Sequence, residues 1–71
     1  MLKIEVGQEL EFILPATVDD RTMAKGTHVR VGQILTEFTE PKVTCVVLGR
    51  DTPETFTVEK HVLALHCRPV K

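Results

Sequence analysis

Apolar and polar residues alternate along most of the chain, which is the pattern of half-buried β-strands. The alternating segments are, in chain order, LKIEV, ELEFIL, HVRV, TFTVE and HVLALHC, whereas VTCVVLG is mostly apolar, as a strand buried on both faces would be. In the first two, the alternation predicts buried faces that include Val6, Leu10, Phe12 and Leu14. No segment keeps a helical period of 3.6 residues over ten or more positions. The pattern therefore predicts five strands joined mostly by short turns.

Three interruptions of the alternation mark the predicted connections. Pro15–Thr27 is rich in turn-forming residues, which predicts a long loop, with Asp19 or Asp20 as the cap of one helical turn. Thr39–Lys42 predicts a turn around Pro41, and Arg50–Glu54 has the composition of a hairpin connection. Pro69 is expected to end the last strand, HVLALHC.

The pentad VGQEL at Val6–Leu10 returns as VGQIL at Val31–Leu35. After Gly32 the alternation changes phase, as it does where a β-bulge bends a strand. A glycine permits the backbone angles of tight turns and bulges. We interpret the two copies as the same local device for bending a strand, in preference to an internal duplication or a ligand-binding motif.

Five strands in 71 residues predict an all-β fold, a small five-stranded SH3-like barrel that forms one domain over residues 1–71. An OB-like barrel is the competitor. That fold usually carries a helix between its third and fourth strands, and Thr39–Lys42 leaves no room for one. A domain of this size buries only about 60% of its unfolded surface, which favours a homodimer or another assembly.

Composition and charge then argue against two classes of function, nucleic-acid binding and enzymatic catalysis. The formal net charge is −1, and the nine Lys and Arg residues are scattered among acidic ones. The pI is about 6.3, so nucleic-acid binding stays an alternative that is not favoured. No nucleophile motif or phosphate loop appears. We therefore expect a protein that is not an enzyme and holds no cofactor.

The N-terminal stretch MLKIEVGQELEF is interrupted by charges, so it lacks the apolar region of a secretory signal. No run approaches the roughly 20 apolar residues that cross a bilayer. These features predict a cytoplasmic protein without a membrane partner. In that compartment Cys45 and Cys67 are expected to remain thiols.

The cysteines and histidines are residue types that bind zinc, but their spacing in the chain does not match a metal-binding motif. No C-x₂-C or H-x₃-H pair is present. The favoured interpretation is that Cys45 and Cys67 are buried as small apolar residues. A thiol or zinc site built from Cys45, His66 and Cys67 is kept as a further alternative.

Three phenylalanines, Phe12, Phe38 and Phe56, are the only aromatic residues, and all three are predicted to lie in the core. Grooves for proline-rich peptides, cages for methyl-lysine and platforms for stacked bases all require exposed aromatic side chains. The sequence argues against these three ligands even if the fold is an SH3-like barrel.

The segments IEVGQELEF, KGTHVRVGQIL and HVLALHCRPV together resemble the framework of SH3-like small barrels of the KOW and ribosomal-accessory type. This resemblance is to a fold framework and assigns no family. It implies contacts with nucleic acid or a polymerase through basic loops. The matching loops here contain acidic residues instead, namely Asp19, Asp20, Glu40, Asp51 and Glu54.

The function predicted from the sequence is that of a non-enzymatic protein-interaction or accessory module, which acts through a barrel edge or through loops. Its partner is expected to be another protein or a second copy of the chain. Loops carry function on small scaffolds, which points to Ala16–Lys25 and Arg50–Glu54. The predicted contact residues are Asp19, Asp20, Arg21, Met23, Lys25, Arg50 and Asp51.

Overall fold

The computed structural model describes residues 3–37 and 39–70, and within them the chain forms seven strands and one short helix. The elements in chain order are β1 (Glu9–Phe12), β2 (Ala16–Val18), β3 (Arg21–Met23), β4 (His28–Leu35), β5 (Lys42–Val47), β6 (Glu54–Glu59), α1 (Lys60–His66) and β7 (Cys67–Pro69). The predicted all-β class is confirmed at this level. Phe38, one of the three predicted core aromatics, lies outside the described residues.

The strands form two antiparallel sheets. The larger sheet has five strands in the order β6-β5-β4-β1-β7, and the smaller sheet is the β2–β3 hairpin. Strand β4 pairs with β1 on one side and with β5 on the other, so it lies at the centre of the larger sheet. Strands β6 and β7 are its two edges.

Strict alternation places one face of each central strand in the core. Strand β5 alternates fully buried and half-buried residues along its whole length, which corrects the prediction that it is buried on both faces. The rings of Phe12 and Phe56 lie 6.5 Å apart at a tilt of 56°, within the favourable range for aromatic pairs. The buried side chains are Ile4, Leu10, Phe12, Val18, Met23, Val29, Val31, Val43, Cys45, Val47, Phe56, Val58, Leu63 and Cys67.

The prediction that HVLALHC is a strand is wrong for most of its length. Residues Lys60–His66 form helix α1, and only Cys67 belongs to the following strand β7. Leucine and alanine favour a helix, and a short apolar run does not distinguish a buried helix from a strand. Helix α1 buries Leu63 and joins the two edge strands of the larger sheet.

The predicted long loop Pro15–Thr27 contains the β2–β3 hairpin. Asp19 and Asp20 form its two-residue turn, with φ angles of 49° and 63°, so neither caps a helical turn. Positive φ at both central residues is typical of the type I′ turn, whose twist matches the flanking strands. Aspartate tolerates this conformation better than most residues because its short side chain hydrogen-bonds locally.

The geometry of this turn predicts that glycine at position 20 is more stabilising than alanine. Asp20→Gly is expected to be more stable than Asp20→Ala by about 1 kcal/mol, because glycine takes a positive φ without a steric penalty. Urea denaturation of the two variants measures the difference. Equal stability, or a more stable alanine variant, would contradict the turn geometry.

Two further positions depart from the predicted alternation. Residues Lys3–Glu5 are not a strand, and Val6 is 64% exposed in the turn that follows. Leu14 continues the inward phase of Leu10 and Phe12 in sequence, but β1 ends at Phe12 and Leu14 is 51% exposed. The alternation predicts a face only as far as the strand itself extends.

The repeated VGQ sequences lie against each other. Gly7 has a φ of 88° in a turn, whereas Gly32 lies where the β4–β5 register shifts between Val31 and Gln33. The prediction of a bulge at Gly32 is therefore confirmed. The N–H of Gly7 donates to the carbonyl of Val31 at 2.7 Å, and the N–H of Val31 donates to the carbonyl of Gln8 at 2.8 Å. The first copy turns the chain and the second bends a strand.

Candidate functional site

Met23 is the one predicted contact residue that the structure removes from the surface. It is the last residue of β3 and is 3% exposed, packed within the core cluster. Its thioether side chain packs among the other buried apolar residues, a use for which flexible methionine is well suited. The other six predicted contact residues are exposed.

Asp19 and Arg21 bind the β2–β3 hairpin to edge strand β6. Nη2 of Arg21 donates a hydrogen bond of 2.8 Å to the carbonyl of Thr55. The N–H of Thr57 donates to Oδ2 of Asp19 at 3.3 Å. Arg21 Nη1 also lies 3.6 Å from Oε1 of Glu54. We call these contacts of Asp19 and Arg21 the hairpin clasp.

Lys25 and Arg50 lie at one end of the molecule, where two loops approach each other. An open cleft of about 390 Å³ separates the loop before β4 from the loop after β5. Within residues 3–37 and 39–70, no hydrogen bond or ion pair holds the side chain of Arg50. The cleft is lined by Glu9, Gly26, Thr27, His28, Leu48, Gly49 and Arg50.

A row of histidine, glutamate and arginine side chains crosses the outer face of β4, β1 and β7. Nδ1 of His28 lies 3.0 Å from Oε2 of Glu9, and Nε2 of His28 lies 4.0 Å from Oε2 of Glu11. Arg68 donates to Oε1 of Glu11 from Nε at 3.2 Å and from Nη2 at 3.1 Å. Sequence reasoning missed this row, although the polar phase of β1 already placed both glutamates on one face.

Among the described basic residues, Lys42 and Arg50 lie at opposite ends of strand β5. Lys42 begins β5 and Arg50 lies in the loop after it, so roughly 17 Å of strand separates the two ends. Arg68 forms an ion pair with Glu11, and Arg30 is the cross-strand neighbour of Glu9. A nucleic-acid surface needs its cations close together along a phosphate backbone.

Three exposed apolar residues lie beside the backbone junction where the chain after β1 approaches the end of α1. The N–H groups of Ile13 and Leu14 both donate to the carbonyl of His66, at 2.8 and 3.2 Å. Leu65, the residue before His66, is 67% exposed, and Ile13 is 37% exposed. His66 is also tied to this region, because its Nδ1 lies 3.1 Å from the carbonyl of Pro15. We call Ile13, Leu14 and Leu65 the junction patch.

Both cysteines are buried free thiols, which confirms the favoured interpretation of these residues. Burial raises the pKa of Cys45 to about 12. The pKa of Cys67 is also raised to about 12, mainly by burial and to a smaller extent by the nearby charge of Cys45. Among the described residues, no group of three or more His, Cys, Asp or Glu side chains has the arrangement of a metal site. Cys45, His66 and Cys67 therefore do not form a ligand set there.

No helix in the part of the chain that the structure describes is long and apolar enough to cross a membrane. No protein-family model matches the chain, and neither a curated protein nor a solved structure matches it. A fold alone does not specify an activity, so the function of this chain is inferred from its surfaces.

Proposed function

We propose that this chain is a non-enzymatic protein-interaction module and that it binds a partner protein through the junction patch. The observation that carries the proposal is the exposure of Ile13, Leu14 and Leu65 around one backbone junction. Apolar side chains that are scattered singly on a surface need no explanation, whereas several together mark an interaction site. Covering an exposed leucine contributes roughly 1.5–3 kcal/mol to association.

The surroundings of the junction patch support the same proposal. Glu11 and Arg68 are hydrogen-bonded to each other next to the junction, on β1 and β7. An apolar centre with a polar rim is the usual anatomy of a protein interface. The charged loop residues Asp20, Lys25, Arg50 and Asp51 are further candidate contact residues, and all four are exposed.

The fold that we infer for this module is an SH3-like barrel. In support, the five-stranded sheet ends in two edge strands that helix α1 connects directly. The β2–β3 hairpin extends from β1 and contacts edge strand β6 through side chains. The proposed location is the cytoplasm, where two reduced thiols are the usual state.

Leu65→Ser tests the junction patch because it removes the most exposed of the three apolar side chains. In affinity capture from an extract of the source cells, the variant is expected to recover at least about tenfold less partner than the parent chain. Its free energy of unfolding should stay within about 0.5 kcal/mol of the parent value, as for other surface substitutions.

Val6→Ser is the matched control. Val6 is 64% exposed, close to the 67% of Leu65, and it lies in the turn before β1. Its substitution should leave the recovered partners unchanged. Equal recovery by both variants and the parent chain would place the binding surface elsewhere, and the charge reversals Lys25→Glu and Arg50→Glu would then test the loops.

A further inference from the structure

We propose that the hairpin clasp covers the edge of β6 and that, when the clasp opens, this edge pairs with β6 of a second copy of the chain. This self-association does not depend on whether the junction patch binds another protein. The two edges of the larger sheet differ in the backbone groups that they present and in what covers those groups.

Strand β6 presents backbone groups of Thr55 and Thr57 on its outer side. In an antiparallel pair, the residues of an edge strand alternately face the neighbouring strand and the open side. Phe56 is opposite Cys45 in the β5–β6 register, between Thr55 and Thr57. The carbonyl of Thr55 and the N–H of Thr57 bond to hairpin side chains, so these two threonines face away from β5.

The central residues of β6 lack the usual protection of an edge strand. Thr55–Val58 contains no charge, no glycine and no proline, and its residues all favour extended structure. Natural edge strands usually avoid association through lysine, proline, a bulge or a covering element. In this chain the covering element is the β2–β3 hairpin, which contacts β6 through Asp19 and Arg21.

The opposite edge, β7, is protected by its own residues. The N–H of Cys67 donates to the carbonyl of Leu63 in helix α1, and Pro69 has no N–H. Arg68 is opposite Glu11 in the β1–β7 register. On either side of this pair, the N–H of Ile13 donates to the carbonyl of His66, and the N–H of Val70 donates to the carbonyl of Glu9. By the alternation of an antiparallel pair, the backbone N–H and carbonyl of Arg68 therefore face β1. An added strand would find no backbone donor along β7, so β6 is the edge open to pairing.

The clasp holds β6 through few and exposed contacts. The hydrogen bonds of Arg21 and Asp19 to β6 are both exposed, and the ion pair of Arg21 with Glu54 spans 3.6 Å. Exposed contacts of long side chains are weak because water and salt compete for them. A second β6 strand would replace them with a regular backbone ladder.

A second copy fits because β6 is complementary to itself. In an antiparallel pair centred on Phe56, Thr55 of one copy lies opposite Thr57 of the other. Both residues present outward N–H and carbonyl groups, so each such pair forms two backbone hydrogen bonds. A twofold interface of this kind closes after two copies, which predicts a dimer.

The direct test is the double variant Asp19→Gly/Arg21→Ala, in which glycine keeps the positive φ of the turn. Sedimentation equilibrium over a hundredfold range of concentration should show a dimer for this variant at concentrations where the parent chain is monomeric. Arg30→Ala, which removes an exposed arginine from β4, should behave as the parent chain does. A double variant that matches the parent chain at every concentration would overturn the proposal.

Position 57 shows whether such a dimer forms through β6. Adding Thr57→Pro to the double variant removes an outward N–H without breaking the ladder to β5, and it should abolish the dimer. Thr57→Val is the matched change, because it also removes the hydroxyl contact with Thr44 but keeps the N–H, and it should retain the dimer. A dimer that persists with proline at position 57 would overturn the proposal.

Hydrogen exchange of Asp19→Gly alone keeps the proposal testable if the double variant does not fold, because Asp19 accepts the hydrogen bond of the Thr57 N–H. The amide of Thr57 should exchange at least about tenfold faster in this variant than in the parent chain. The amide of Cys45, in the central part of β5, should keep its rate. Unchanged exchange at Thr57 would mean that the clasp does not protect the β6 edge.

Discussion

Replacing Phe12 with alanine is expected to lower the free energy of unfolding by about 3–5 kcal/mol. Phe12 is fully buried at the end of β1, and its ring packs 6.5 Å from that of Phe56. A domain of 71 residues has a total stability of roughly 4–10 kcal/mol. The substitution therefore removes a large part of what holds the fold together. Urea denaturation followed by circular dichroism measures the loss.

Phe12→Leu is the control for this experiment. Leucine keeps most of the buried apolar volume and loses the ring contact with Phe56, so its cost should be well below that of alanine. A loss under about 1 kcal/mol for Phe12→Ala would contradict the central position of Phe12 in the core.

The two cysteines should be almost unreactive in the folded chain. Burial raises the pKa of both thiols to about 12, and only the thiolate reacts with alkylating reagents. At pH 8 each unit of pKa increase lowers the thiolate fraction about tenfold, so alkylation should be about a thousandfold slower than in urea. Mass spectrometry after timed alkylation gives both rates. Similar rates in the native and unfolded chains would contradict the burial of these thiols.

The same pKa increase predicts how stability depends on pH. Well below pH 9 both thiols are protonated in the folded and unfolded chains, so their contribution to stability does not change with pH there. Between pH 9 and about pH 12 the unfolded thiols lose protons while the folded ones retain them, which lowers the free energy of unfolding. The double variant Cys45→Ala/Cys67→Ala should show a shallower decline over this range. An equally steep decline in both chains would assign the effect to other groups.

The central strands could be predicted from the sequence because polar and apolar residues alternate along most of their length and one face of the sheet is buried. In β4 the alternation changes phase at Gly32, and this change predicted the bulge. Helix α1 could not be predicted because seven residues are too few to establish a helical period. Strands β2 and β3 have three residues each, and the alternation is too short to reveal them.

The candidate surfaces were harder to predict, since each depends on contacts between distant parts of the chain. Arg21 and Thr55 are 34 positions apart, and Asp19 and Thr57 are 38 apart, so the clasp has no local signature. The junction patch could not be predicted because Leu14 continues the inward phase of β1 in the sequence, although the strand ends before it. The loop residues Lys25 and Arg50 could be predicted as exposed because turn-forming residues surround them.

The most direct test of the proposed function is affinity capture of the tagged chain from native extract, with and without nuclease, followed by mass spectrometry. The proposal predicts one or more protein partners that survive nuclease treatment and are lost with Leu65→Ser but not with Val6→Ser. Partners that disappear with nuclease would mean that nucleic acid links them to the chain. That result would contradict a protein-interaction module that acts through the junction patch.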